Sequence, residues 1–508
     1  RLQLAFSRTK ATAEIPPDAI VRTDDVVSRA GCVMTDGCAG MGADVAAEIT
    51  RKMVAAGEIP KGSTVSAVQA RLGEHKGMWF LDPNLPRNTI QVRGSQRKYY
   101  IADDARQRGS HNVIEVIWSN HRPPKPSPLN SQLVLVLLSI GVQPMTLQKL
   151  FLENFNRSVN SLLSGNADSI RETESTADGL SDKSLPGLVV QYLEAGFSPD
   201  EPMVSHLLST YFRRYLSVIE SGRFHVSRLR RTKVIASPHL PPGQAFYQSS
   251  SLPKEETSSG VLRGFAIVGR NPCLLPSDLQ KVLFVDSENL RHLADVVVFS
   301  TQDSSPLAGL LAGGDYDGDD VFVCWEPEIV RQAHPVAVQP FARPPGVTEC
   351  SIGARPLYLL DGPGVVSNKP LPNAAYGGSA VSEAICEYAL VQARRNGWTV
   401  AELHGRHRKV VLTKGAADNA AIQLAQLLGY ALDGFKSGWH VDPASIVDDP
   451  SLVAQEPGVS PLASALSEVS SGLKWRFSRR TFLDRDVLRY GQQPELIQQH
   501  GDVEAQVR

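Results

Sequence analysis

The chain has 508 residues, of which 42% are hydrophobic and 21% are charged, and this composition excludes wholesale disorder. Its 52 Lys and Arg residues nearly balance its 53 Asp and Glu residues, so a nucleic-acid groove could only be a local basic feature of the surface. Because single hydrophobic cores stop growing at roughly 250–300 residues, we expect at least two domains.

The cysteines and the start of the chain bear on where the protein resides. Six dispersed cysteines form no Cys-x-x-Cys pair, which disfavours a zinc ribbon and a dense disulfide framework and fits a reducing compartment. No apolar run approaches the ~18 residues that a membrane span requires. The chain begins at Arg1 without Met or a signal peptide, so we expect a fragment with sequence missing upstream. We expect an intracellular protein, cytoplasmic or nuclear, that is not secreted and has no membrane partner.

Short β-branched and apolar runs separated by Gly and Pro predict a first strand-rich unit over residues 1–127. The runs occupy residues 65–72, 77–82, 89–94 and 112–119. One helix, from Ala43 to Ala56, interrupts them. The Gly-rich segment before this helix has the wrong spacing for a dinucleotide-binding motif, so it predicts a turn from Asp36 to Gly42.

Helical periodicity over residues 128–222 predicts a connector, divided by a polar loop near 165–183. A second strand-rich unit follows over residues 223–335. Its runs occupy residues 224–229, 233–237, 265–270, 282–285, 295–300 and 320–325. The remainder, 336–508, is predicted to be mainly helical, with helices at about 380–396 and 417–432, and the part after about 440 carries no recognisable chemistry.

The densest functional signal is a set of carboxylates, Asp315, Asp317 and Asp319, that runs into an apolar strand. Residues at i, i+2 and i+4 point the same way on an extended chain, and Gly314 and Gly318 let the backbone bend until the carboxylates converge. Converging like charges repel unless a cation neutralises them. Hard carboxylate oxygens prefer Mg²⁺ or Mn²⁺, so this segment predicts a metal site of the phosphoryl-transfer type.

A calcium loop is the alternative interpretation of the same segment. The aspartates and Glu326 fall at positions 1, 3, 5 and 12 of an EF-hand loop. Position six should be Gly, but Asp320 occupies it, and the residues that follow resemble a strand rather than a helix. These mismatches disfavour the calcium loop.

The segment GGDYDGDD at residues 313–320 resembles the Asp-x-Asp-Gly-Asp signature of eukaryotic cell-encoded RNA-dependent RNA polymerases of the gene-silencing type, and a fungal member is expected. Further segments resemble the same family in the same order. They are residues 1–9, 35–42, 68–79, 92–99, 269–280, 292–300 and 431–438. The resemblance implies an α+β fold with two double-psi β-barrels facing each other across a catalytic cleft, similar to the large subunits of cellular RNA polymerases.

The resemblance also implies the reaction and its residues. An RNA 3′-hydroxyl attacks the α-phosphorus of a nucleoside triphosphate and pyrophosphate leaves, with Mg²⁺ as the cofactor and Mn²⁺ as the alternative ion. The implied metal ligands are the three aspartates of the signature, and Lys76 and Lys98 are implied as catalytic cations on the opposite wall of the cleft. A solvated surface position is the alternative for each lysine. Asp320 either supports the ligands from behind or faces outward.

The substrate-binding residues implied by the resemblance are Arg270, Asn271, Arg93 and Gln96. Arg270 is expected to sense the nucleotide ribose, although an Arg beside a Pro-rich turn could instead pair with a carboxylate. Basic clusters at 223–233 and 404–414 either line the path of template or product or form a solvated surface.

The expected partners are a single-stranded RNA template and nucleoside triphosphates, with double-stranded RNA for RNA silencing as the product. DNA-templated RNA synthesis and a metal-dependent nuclease are the alternative activities. A His beside the aspartates that could activate water would favour the nuclease, and the sequence has none there. A degenerate RNA-binding scaffold should have lost one of the aspartates, and all are present. Template preference, primer dependence and oligomeric state are left open by the sequence.

Overall fold

The computed structural model describes most of the chain up to residue 337 and several shorter segments after it. The described residues are 10–98, 111–124, 126–163, 166–168, 170, 185–220, 223–249, 251–252, 260–337, 347–349, 358–360, 366–370, 397, 399–437 and 439–441. They fall into two compact units, one holding the described residues up to 337 and the other those from 347 to 441.

A mixed sheet of seven strands forms the first part of the larger unit. Its strands are β1 (Lys10–Glu14), β2 (Ile20–Arg22), β3 (Cys38–Met41), β4 (Ala67–Leu72), β5 (His75–Leu81), β6 (Ile90–Val92) and β7 (Val113–Ser119). They lie in the order β1-β7-β4-β5-β3-β6-β2. Strands β2 and β6 pair in parallel, as do β3 and β5. Among the strands that the structure describes, no pairing of β1 with β2 closes this sheet.

The Gly-rich segment before the first helix is not the predicted turn, because Cys38–Met41 forms β3 and all four of its residues are buried. Small residues are required in this strand: an added Cβ at Gly40 would lie 2.8 Å from the side chain of Leu85. The helix α1 (Ala43–Ala55) follows, one residue shorter than predicted. Its four-residue spacing places Val45, Ile49 and Met53 on one buried face.

Helices connect the first sheet to the second. They are α2 (Ser131–Ser139), α3 (Pro144–Leu163), α4 (Leu185–Glu194) and α5 (Pro202–Glu220). Asn130 caps α2 by accepting a hydrogen bond from the Leu133 amide at 2.8 Å. Most of the polar loop predicted near 165–183 lies outside the described residues.

The second sheet closes on itself. Its strands are β8 (Pro126–Leu129), β9 (Phe224–Ser237), β10 (Gln244–Tyr247), β11 (Gly264–Arg270), β12 (Leu279–Phe284), β13 (Val297–Ser300) and β14 (Asp320–Cys324). The order is β13-β10-β12-β11-β14-β9-β8, and a parallel pairing of β13 with β9 completes a ring that leaves β8 outside. Two short helices, α6 (Leu307–Leu310) and α7 (Pro327–Gln332), precede and follow β14.

Two details of this sheet differ from the expected pattern. The runs predicted at 224–229 and 233–237 form one continuous strand, since residues between them also pair with β14. Strand β8 begins at Pro126 and pairs with β9, so residues 126–129 belong with the second sheet. The domain boundaries at 127, 222 and 335 stay predictions.

A shared hydrophobic core joins the two sheets. Cys38 and Met78 of the first sheet pack in one cluster with Phe246 and Phe299 of the second and with Tyr316 of the loop before β14. Each of these side chains is at most 1% exposed. This packing fixes the first sheet against the loop before β14, where the aspartates lie.

The smaller unit combines short strands with two helices. They are β15 (Val347–Glu349), β16 (Tyr358–Leu360), β17 (Val366–Pro370), helix α8 (399–414), helix α9 (Asn419–Ser437) and β18 (Trp439–Val441). Helix α9 covers the helix predicted at 417–432, whereas the helix predicted at 380–396 lies outside the described residues. No described helix of either unit is both long enough and apolar enough to cross a membrane.

Candidate active site

The loop between α6 and β14 brings the predicted carboxylates together. One oxygen each of Asp315, Asp317 and Asp319 can be chosen so that all lie within 4.8 Å of one another. The loop also holds itself: the Asp315 amide donates to Asp319 Oδ2 at 3.0 Å, and the Asp317 amide donates to Asp315 Oδ1 at 3.0 Å. The convergence predicted from the alternating spacing is therefore confirmed.

Glycines at two positions allow this loop to approach the first sheet. Gly318 has φ 125°, and an added Cβ there would lie 1.8 Å from the side-chain amide of Gln69. That amide donates to the Asp317 carbonyl at 3.1 Å. Gly37 has φ 87°, and its added Cβ would lie 2.5 Å from the Asp317 Cβ. A larger side chain at Gly37 would displace the aspartate loop, and one at Gly318 would displace the Gln69 side chain that contacts it.

Lys76 and Lys98 lie across from the aspartates. Each Nζ is 3.2 Å from the same carboxylate oxygen, Asp317 Oδ2. Their backbones are paired through the Lys76 amide, which donates to Gln96 O, and the Lys98 amide, which donates to Glu74 O, both at 2.9 Å. This pairing places both ammonium groups at the loop, although their catalytic role stays a prediction.

Gln96 and Arg93 support the turn that carries Lys98. Gln96 is 0% exposed, and its Nε2 donates to Met78 O at 3.4 Å while its Oε1 accepts from the Arg93 amide at 2.9 Å. The Arg93 guanidinium donates to the Asp24 carbonyl. Both side chains were predicted to bind substrate. Their observed contacts are internal to the first sheet, and substrate contact stays a prediction.

Arg270 contacts the aspartate loop from β11. Its Nε lies 2.8 Å from Asp319 Oδ2, and its Nη1 donates to Ala312 O at 3.1 Å. The structure thus shows the carboxylate pairing that the sequence left as an alternative to ribose sensing. Asn271 is exposed next to this pair.

Asp320 is held by two cations of β9. Lys233 Nζ lies 2.9 Å from Asp320 Oδ1 and also donates to the Gly318 carbonyl at 2.5 Å. Arg231 Nη2 lies 2.9 Å from Asp320 Oδ2. Asp320 is thus part of a brace behind the loop, which favours the supporting role over an outward-facing one. The brace uses part of the basic cluster predicted at 223–233.

The charges at this site are unevenly balanced. Burial, followed by repulsion from Asp317 and Asp319, raises the pKa of Asp315 to about 7. Burial also raises the pKa of Asp317, but the charges and hydrogen bonds of Lys76 and Lys98 outweigh it, so that this pKa lies below its usual value. The lysines therefore neutralise one carboxylate and leave negative charge around Asp315.

This excess of negative charge fits a divalent cation. All three side chains offer hard oxygen atoms, the ligands that Mg²⁺ and Mn²⁺ prefer. A bound cation would offset the burial and the repulsion that together raise the pKa of Asp315. The three aspartates could thus bind a metal ion.

Three residues that the sequence did not assign to this site touch it. Asp36 accepts from the Tyr316 amide at 2.8 Å through its carbonyl, and burial is the main cause of the raised pKa of its carboxyl. Gln69 and Lys233 contact the loop backbone. Asp36 and Gln69 stand in family-like segments and Lys233 stands in the basic cluster at 223–233, but nothing in the local pattern signals their contacts with the loop.

Comparison with known proteins identifies similar chains. A family model described as "RNA dependent RNA polymerase" matches residues 1–461. The chain is 28% identical over 355 residues to RNA-dependent RNA polymerase 1 of Arabidopsis thaliana, covering 67% of this chain and 30% of that protein. It is 26% identical over 368 residues to RNA-dependent RNA polymerase 1 of Schizosaccharomyces pombe, covering 65% and 28%. The chain therefore spans less than a third of the length of these two curated relatives.

A solved structure supports the fold. The RNA dependent RNA polymerase QDE-1 from Thielavia terrestris superposes with a TM-score of 0.69 at 23% identity, covering 96% of this chain and 56% of that one. This similarity confirms the predicted α+β fold of the double-psi β-barrel type.

The raised pKa of Asp315 predicts a metal effect that depends on pH. Without metal, the folded state holds this proton more tightly than the unfolded state, so stability from this group is full below the usual pKa of 3.8 and is lost as the pH rises toward about 7. Added Mg²⁺ should therefore raise the melting temperature more at pH 8 than at pH 5.5. Thermal melting with Mg²⁺ or with a chelator measures this. An equal rise in melting temperature at both pH values would contradict this interpretation. So would an Asp315→Asn variant in which the rise still differs between the two pH values as it does in the wild type.

The brace predicts that two cations with the same partner differ in importance. Lys233→Met removes the donor to the Gly318 carbonyl and should weaken Mg²⁺ affinity about tenfold, as loss of groups behind metal ligands does. Arg231→Met removes only the more exposed contact to Asp320 and should change the affinity less than about twofold. Calorimetric Mg²⁺ titration compares the variants. Equal losses of Mg²⁺ affinity in the two variants would show that the charges of Lys233 and Arg231 support the site, and not the contact of Lys233 with the loop.

Proposed function

The chain belongs to the RNA-dependent RNA polymerase family, and from this premise we propose that it catalyses template-directed transfer of nucleotides to an RNA 3′-hydroxyl. The substrates are nucleoside triphosphates, the template is single-stranded RNA, and the product is double-stranded RNA for RNA silencing inside the cell, in the cytoplasm or nucleus. One observation carries the proposal: Lys76 and Lys98 of the first strand-rich part meet the three carboxylates of the loop before β14 at Asp317. Cations and carboxylates in such proximity suit a metal-bound triphosphate.

Asp315, Asp317 and Asp319 would hold Mg²⁺, with Mn²⁺ as the alternative ion. When bound, the ion supplies Lewis-acid stabilisation of negative charge on the reacting phosphate and hydroxyl oxygens. The chain prepares this site by fixing the loop from three sides, through Gln69, Arg270 and the brace at Asp320. A fixed loop keeps the ligand oxygens in place before substrate arrives.

Lys76 and Lys98 are proposed to neutralise the triphosphate. Their side chains are 20% and 26% exposed, so they remain accessible while paired with Asp317. Negative charge that accumulates on phosphate oxygens in the transition state would attract both ammonium groups. Each lysine should thus contribute more to the transition state than to binding of the template.

Arg270 and Asn271 are proposed to contact the incoming nucleotide beside the loop. Arg270 already orients Asp319 at 2.8 Å, so it would couple the position of the nucleotide to the position of one ligand. Arg93 and Gln96 are proposed to support substrate binding indirectly, by holding the turn that carries Lys98.

Nucleotide incorporation tests the function directly. The purified chain is incubated with single-stranded RNA, labelled triphosphates and Mg²⁺, and products are digested with a nuclease specific for double-stranded RNA. Parallel reactions contain Mn²⁺, or single-stranded DNA as the template. Extension to double-stranded RNA supports the proposal. RNA cleavage without extension would overturn it in favour of a nuclease, and extension on DNA alone would overturn the assigned template.

Asp317→Asn should abolish incorporation while RNA binding persists. The amide keeps the size of the side chain but removes the charge that the lysines and the metal share, so the expected loss of kcat is at least about 1,000-fold. Phosphate contacts elsewhere should leave the Kd for RNA within about twofold. Incorporation rates and fluorescence anisotropy measure the two effects. Wild-type rates in this variant would refute the metal assignment.

Lys98→Ala should slow incorporation about 100-fold and change the Kd for RNA less than about threefold, because its charge acts on the triphosphate. Lys61→Ala is the matched control, since Lys61 is an exposed lysine of the same unit and lies away from the loop contacts. Single-turnover kinetics and anisotropy separate the effects. Equal losses in rate and RNA affinity would argue that Lys98 is a template-binding residue.

A further inference from the structure

A cavity of about 390 Å³ opens where two parallel strands of the first sheet end. Strands β2 and β6 pair up to Arg22 and Val92, and the Thr23 amide continues the pairing by donating to Val92 O at 3.0 Å. Three arginines, Arg22, Arg93 and Arg97, line the cavity. We call it the arginine groove.

The groove is elongated. An adjoining cavity of about 440 Å³ shares Arg22 and His75 and continues along the turn between β4 and β5 to His111. None of the described residues that line either cavity is Phe, Tyr or Trp. Among these described lining residues only the imidazoles of His75 and His111 offer a ring for base stacking, so an extended ligand would be held mainly through its backbone.

Positive charge dominates the arginine groove. Asp24 is the one carboxylate among its described lining residues, against three guanidinium groups. Arg93 is anchored to the Asp24 carbonyl, and its buried Nε has no acceptor in the part of the chain that the structure describes. Burial is the main cause of the lowered pKa of His75; the charge of Glu74 opposes this shift, and the charges of Arg22 and Arg97 add to it. An anion would relieve this concentration of charge.

The groove is separate from the site at Asp317. His75 and Arg97 face each other across an isolated β-bridge, and the next residue in each case is one of the lysines that contact Asp317. Successive residues of a strand point to opposite faces of the sheet. The groove therefore lies on the far side of β5 from the aspartate loop.

We propose that the arginine groove binds the backbone phosphates of an RNA strand. The inference rests on the proposed polymerase function and adds to it a strand-binding site outside the catalytic loop. Guanidinium groups are permanently charged and offer paired donors that match phosphate oxygens. Contacts of this kind are independent of base sequence, as a general copying enzyme requires.

The test measures how RNA affinity depends on salt. A fluorescein-labelled single-stranded oligouridine is titrated with the whole chain across a potassium chloride series by anisotropy. Each lost phosphate contact lowers the slope of log Kd against log salt by about 0.7, so Arg22→Gln with Arg97→Gln should lower it by about 1.4. The charge-retaining pair Arg22→Lys with Arg97→Lys should keep the wild-type slope.

A charge-matched control is Arg51→Gln with Arg87→Gln, two arginines of the same unit whose exposed pairs with Glu48 and Asp44 contribute little stability. It should leave the slope unchanged. Because Arg22 and Arg97 are exposed, all variants should melt at the wild-type temperature.

The outcomes separate the groove from the proposed function. Wild-type RNA binding and extension with an unchanged slope in the Gln pair would overturn the groove and leave the polymerase standing. An unchanged slope with a raised KM for triphosphates would reassign the groove to free nucleotide phosphates and overturn the RNA assignment. A wild type that neither binds nor extends RNA would overturn the proposed function and the groove together.

Discussion

Repulsion among carboxylates is the constraint on which the rest of this structure depends. Three aspartates with oxygens within 4.8 Å of one another cannot all remain charged and buried without compensation. The chain compensates only in part, since two lysines share Asp317 and one arginine contacts Asp319. Asp315 is left without a cationic partner among its described contacts, so the three aspartates together could bind a cation.

The architecture converts that local repulsion into a stable arrangement. The loop is anchored at one end by β14, inside the closed ring, and is pressed against the first sheet by the buried Tyr316. Glycines at 37 and 318 remove the side chains that would hold the two surfaces apart. Close packing of apolar side chains thus opposes the electrostatic cost of the site.

Much of this arrangement follows from local sequence, but the contacts between distant segments do not. Alternating spacing was sufficient to predict that the aspartates converge, and β-branched runs predicted most strands. Strand β3 was taken for a turn because Cys38–Met41 holds small residues instead of β-branched ones. The contact of Gln69 with Asp317 spans 248 positions, and that of Lys233 with Gly318 spans 85, distances over which periodicity carries no information.

The closure of the second sheet through β9 and β13 has a consequence for the order in which the molecule is built. Val234 pairs with Val297, so the ring cannot exist until the ribosome has delivered both strands, and β14 follows later still. Lys76 and Asp317 are 241 positions apart. Loop closure over such separations is slow, and a growing chain holds the lysines long before their partner appears. The aspartate loop therefore meets the lysines only after both sheets have been synthesised, and a chain that ended before Asp315 would hold the lysines without their carboxylate partners.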